Sequence, residues 1–89
     1  MEEIEKIRLE IDEIHDDMAR LFRQRLLLAE KIWEIKKTRN ISMLDSDREQ
    51  KIIQKYDDSI SGERERQAVQ NLFKNVLFET KKYLEERFK

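Results

Sequence analysis

The chain has 89 residues, with one Gly, no Pro, no Cys and 44% charged side chains. Lys and Arg total 19 against 20 for Asp and Glu, a net charge of −1, so no global basic field points to nucleic acid. Without Cys there is no thiol nucleophile, thiolate zinc site or redox pair, and His15, the sole histidine, cannot by itself build a metal cage.

So little turn chemistry argues against a sheet and for long helices with few loops, an all-α fold. No run is apolar enough to span a bilayer and no apolar leader opens the chain, so a cytoplasmic location without membrane or nucleic-acid partners is expected.

The first predicted helix runs from about Glu3 to about Arg39. Its apolar residues step alternately by three and four from Ile4 through Ile7, Ile11, Ile14, Met18 and Leu21, then resume at Leu28, Ile32 and Ile35. This is a heptad seam. Arg25 fills the slot that the seam skips, and a guanidinium there is destabilising unless an anion meets it. Arg8 and Lys36 lie on the stripe beside the seam. Such a helix is about 55 Å long, far more than the width of a compact monomer of this size. A two-fold homodimer is the simplest way to cover it.

Asn40 to Leu44 reads as a connection, with Asn40 as the helix C-cap. Ser46-Asp47-Arg48-Glu49 has the form of a capping box opening a second helix, with Ile52, Ile53 and Tyr56 facing inward. Asp57 to Gly62 is the next break. A third helix then runs from about Glu63 to the end. It is expected to bury Val69, Leu72, Phe73, Val76, Leu77, Tyr83 and Leu84, with Thr80 on the same face. No internal repeat appears, and residues 1–89 read as one domain.

Helix geometry limits which charges cooperate. Arg8 and Lys36 are about 42 Å apart along one helix, too far for a small ligand, whereas Arg25 and Lys36 are separated by about 16 Å and their long side chains can converge. If two such helices pack antiparallel about a centre near residue 20, Arg8 of a second copy falls between Arg25 and Lys36. Two composite sites per dimer result. Two arginines and a lysine around one cavity imply a ligand with more than one anionic group. Asp45, Arg48 and Glu49 are placed to close the site, Arg48 adding a carboxylate or carbonyl contact and Glu49 accepting from a ligand hydroxyl.

Each residue also has a plainer reading. Arg8 and Lys36 can be solvated flank charges, and Arg25 can pair with a glutamate across the seam to set its register. Glu49 can complete the capping box, Thr80 can bond back to its own helix, and His15, Trp33 and the phenylalanines can be interface or core.

The spacing then becomes specific. I-R-x-x-I-D-x-I-H-D at Ile7 to Asp16, R-x-x-L-A-x-x-I-x-x-x-K at Arg25 to Lys36, and D-x-D-R-E-Q at Asp45 to Gln50 together resemble the all-α chorismate mutase family. The likeness covers nearly the whole chain in register. It implies an intertwined homodimer of three-helix chains whose two sites each use both chains. The implied reaction is the conversion of chorismate to prephenate in phenylalanine and tyrosine biosynthesis, with no cofactor and no metal. By the same resemblance, Arg8 of the second chain and Arg25 grip the two substrate carboxylates, and Lys36 reaches a carboxylate and the ether oxygen. Asp45 and Glu49 lie near the ring hydroxyl, Arg48 supports the ring carboxylate, and Thr80 lines the pocket.

The inventory suits that reaction. A concerted [3,3] shift needs no nucleophile or proton shuttle, only a dianion held in its compact shape and stabilisation of charge on the ether oxygen. One position departs from the family. A Gln or Glu is usual one turn after Thr80, and Leu84 stands there and cannot donate. Glu85, next to it, points roughly 100° away around an ideal helix. Isochorismate pyruvate lyase, a weakly active module that binds chorismate or prephenate for regulation, and a purely structural helical dimer are the alternatives.

Overall fold

The computed structural model describes residues 2–56 and 60–89. It contains three helices, α1 (Glu2–Thr38), α2 (Ser46–Lys55) and α3 (Glu63–Arg87), and no strand among the described residues. The all-α expectation therefore holds, with boundaries within a residue or two of those predicted. Glu2, Glu3 and Glu5 open α1 and Lys36 and Lys37 close it, each sign matched to the helix dipole. The molecule measures 56 × 27 × 16 Å, and α1 is its long axis.

The end of α1 is set by backbone chemistry. Asn40 adopts φ 55°, a left-handed conformation that asparagine tolerates better than most residues. That turn lets the Ile41 N–H donate to the Lys36 carbonyl at 2.8 Å and the Asn40 N–H to the Lys37 carbonyl at 3.4 Å. The pair of bonds is a Schellman motif, with Asn40 one place beyond the cap itself.

The start of α2 corrects the predicted capping box. Asp45, not Ser46, is the N-cap, and its Oδ1 accepts from the Arg48 backbone N–H at 3.3 Å. Ser46 is already the first helical residue, which puts Glu49 one position too far along for the reciprocal half of a box. A carboxylate caps better here because it also meets the positive end of the helix dipole. Of the break predicted over Asp57 to Gly62, Asp57, Asp58 and Ser59 lie outside the described residues. Ile60 to Gly62 are non-helical, and Gly62 leads into α3 in an extended conformation without a side-chain cap.

α3 packs against both other helices. Tyr56 at the end of α2 stacks on Phe73, with ring centroids 4.5 Å apart and planes 2° from parallel. Along α1, α3 runs in the same direction, with Thr80, Tyr83 and Phe88 meeting Arg25, Glu30 and Trp33 in order. The Tyr83 hydroxyl donates to Glu30 Oε1 at 2.5 Å, and Arg87 Nε stands 3.9 Å from the same oxygen. The hydrogen bond to Glu30, with desolvation and the carboxylate's charge behind it, pushes the Tyr83 hydroxyl above its ordinary pKa.

Among the described residues only Leu84 and Thr80 are buried. Most positions expected to face inward on α2 and α3 are half-buried, and Leu72 is exposed. The physical reason is length. Among the described residues α3 meets α1 only from about Met18 onward, so the apolar seam of the preceding turns has nothing there to pack on. Ile4, Ile7 and Ile14 expose 52%, 54% and 57% of their surface. No helix among the described residues is long and apolar enough to cross a membrane.

Candidate anion-binding site

Arg25 sits where the seam skips a hydrophobe, half-buried between α1 and α3. Its Nη1 donates to Thr80 Oγ1 at 2.9 Å. Thr80 in turn donates its hydroxyl proton to the Val76 carbonyl at 2.6 Å, so it both bonds back to its own helix and braces Arg25. Burial, and secondarily the positive charge of Arg48, lower the Arg25 pKa. The Arg48 guanidinium thus acts on Arg25 from the start of α2. Among the described residues no carboxylate comes within 4.0 Å of Arg25, so the register-setting glutamate pair is not formed within the chain. A partly desolvated cation faces a neutral hydroxyl and a second cation. Both conditions favour an incoming anion.

Beside this pair opens a cleft of about 370 Å³. Lys36 enters it from α1, Glu49 from α2, and Thr80 and Leu84 from α3, while Ile32 and Trp33 give it an apolar wall. Trp33 is held there by stacking on Phe88, with centroids 6.4 Å apart. Because Asp45 has taken the capping role, Glu49 is not drawn into a box and faces the cleft. The low-polarity wall strengthens any charge contact made inside.

The predicted site residues separate into three groups. Lys36, Glu49, Thr80 and Leu84 line one cleft, and Arg25 joins its edge through Thr80. Arg48 is within electrostatic reach of Arg25, whereas the exposed Asp45 is engaged in capping α2. Arg8 is exposed near the other end of α1, about 42 Å from Lys36 along the helix. A single chain does not bring it to the cleft. His15 lies 3.8 Å from Asp12, and both side chains are exposed.

Two charged cleft residues lie outside the predicted set. Lys81 and Glu85 both line it. α3 is continuous through this region, and Glu85 reaches the rim although it points roughly 100° away from Leu84 around the helix. The cleft is broad enough to span two adjacent stripes of α3. The pattern Thr80-Lys81 followed one turn later by Leu84-Glu85 was the available signal.

Arg25 does not itself line that cleft; it lines an apolar groove of about 510 Å³, with Met18, Phe22, Leu72, Phe73 and Val76 among others. Among the described residues no cluster of His, Cys, Asp or Glu is arranged to hold a metal. Taken together, these features define a helical domain that gathers cations around a small, apolar-walled cleft. The chain matches the chorismate mutase type II family over residues 7–86, and it belongs to that family. It is 40% identical over 55 residues to the bifunctional chorismate mutase/prephenate dehydratase of Aquifex aeolicus (strain VF5). That alignment takes in 62% of this chain but 15% of the Aquifex protein, so the chain matches a small part of that relative. No solved structure gives a significant match.

Proposed function

We propose that the chain is a chorismate mutase, an isomerase that converts chorismate to prephenate as a homodimer in which Arg8 reaches the cleft of the second copy. The observation that carries this reading is the unpaired Arg25, half-buried at the edge of a cleft that also presents Lys36, in a chain matched to the family over residues 7–86. The substrate is a dianion. Arg25 and the Arg8 of the second copy hold its two carboxylates, Arg48 supports the ring carboxylate, and Glu49 accepts from the ring hydroxyl. Asp45 contributes indirectly, by holding α2 so that Arg48 and Glu49 face the site.

The rearrangement breaks a C–O bond and forms a C–C bond within one molecule, and no proton leaves it. Catalysis is then positioning plus stabilisation of negative charge on the ether oxygen, which Lys36 supplies. The unpaired seam of α1 supports the dimer, because a second α1 covers it and the same packing delivers Arg8.

Chorismate consumption with product identification tests the reading on the wild-type chain and an Arg25→Ala variant. Prephenate formed by the wild type and reduced by roughly 10²-fold or more in Arg25→Ala is the expected result. Release of pyruvate from isochorismate without prephenate formation from chorismate would assign the site to the lyase reaction instead.

A further inference from the structure

On α3 the cleft is faced by Leu77, Thr80, Lys81, Leu84 and Glu85. Their chemistry decides what each offers a bound anion. Leu77 and Leu84 present no polar atom, and an ionised Glu85 only accepts. Thr80 has one hydroxyl proton, already given to the Val76 carbonyl, and its oxygen receives the Arg25 bond. Of these five, Lys81 alone carries uncommitted N–H donors. It has no carboxylate within 4.0 Å among the described residues. It also lines a smaller crevice of about 260 Å³, and Glu49 lines both spaces with it. Lys81 therefore stands at the edge between the two, in the cleft that Lys36 lines from α1. Lys82, next in sequence, does not line the cleft.

We infer that Lys81 is a further substrate-contacting residue, whose ammonium supplies from α3 the donor that Leu84 lacks. It acts with Lys36 on the ether oxygen as the C–O bond breaks. The inference rests on the mutase reading above. The bond that breaks and the bond that forms belong to the same substrate molecule, and both lysines keep their protons throughout. Position and charge are all that is asked of Lys81, and an exposed lysine stem at a cleft rim can supply both.

The test compares kcat and KM for chorismate in the wild-type chain and in Lys81→Met, Lys81→Arg and Lys82→Met. Lys81→Met should lower kcat/KM by at least about tenfold, mainly through kcat, because the interaction strengthens as charge develops. Lys81→Arg should keep most of the activity, and Lys82→Met should stay within about twofold of wild type. Leu84→Gln should raise activity far more in the Lys81→Met background than in the wild type, since the two side chains would serve the same atom. Equal activities for Lys81→Met and Lys82→Met would overturn the inference while leaving the mutase reading intact. A wild-type chain that does not consume chorismate would overturn both.

Discussion

A guanidinium held in a helical seam without a carboxylate is a liability for the folded chain and an asset for binding an anion. Arg25 was legible in the sequence for that reason, since a heptad pattern makes one misfit conspicuous. Arg25→Met should stabilise the free protein by about 1 kcal/mol, because it removes a partly desolvated, unpaired charge. The same change should abolish turnover. Thermal denaturation beside chorismate kinetics checks the pair of effects, and a loss of stability would contradict this account of Arg25. Tyr83 makes a separate prediction. Its folded-state pKa is raised by Glu30, so its contribution is fully present below the unfolded value of 10.0 and is lost as pH rises through the higher folded value. Tyr83→Phe should lower the melting temperature at neutral pH and reduce the loss of stability seen in the wild type above about pH 10. Lys81 was less legible. Whether an exposed lysine meets a cleft depends on where α2 settles against α3, and helical period alone does not carry that information.

At the scale of elements, the boundaries of all three helices could be read from apolar period and from a few capping residues. Asn40 marked the end of α1 because few residues accept its left-handed conformation. The N-cap of α2 lies one position before the one the capping-box pattern predicts, since Ser46-x-x-Glu49 and Asp45-x-x-Arg48 are both acceptable openings. Dihedral angles, rather than composition, choose between them. The difference reaches function, because a boxed Glu49 would turn back on the helix end instead of facing the cleft. Asp45→Ala should destabilise the chain by ~1 kcal/mol and fray the first turn of α2. It should also raise KM, as Arg48 and Glu49 lose their fixed placement. Asp45→Ser should restore most of both. Urea denaturation and steady-state kinetics on the two variants measure this, and an Asp45→Ala enzyme with normal stability would contradict the capping role.

For the whole molecule, the sequence made the long first helix and its seam plain, and it also indicated that one chain cannot cover them. Only Leu84 and Thr80 are buried among the described residues, so within one chain the three helices enclose almost no core. Spacing predicts Arg8 as a site residue, yet in one chain it stands far from Lys36. The proposed dimer resolves both facts at once, by covering the seam from Ile4 to Met18 and returning Arg8 to the cleft. Ile11→Asp, with a charge in the middle of the exposed seam, should shift the protein to monomer and remove activity with it. Sedimentation at several concentrations would show this, and a fully active monomer would contradict the shared site.

The most direct measurement mixes two inactive variants, Arg8→Ala and Arg25→Ala, after co-refolding in equal amounts. Each homodimer would lack one arginine in both of its sites. A mixed dimer would keep one complete site, with Arg25 from one chain and Arg8 from the other, so random pairing should restore about one quarter of wild-type activity. No recovery above the separate variants, with mixed dimers confirmed by mass spectrometry, would contradict a site shared between two copies.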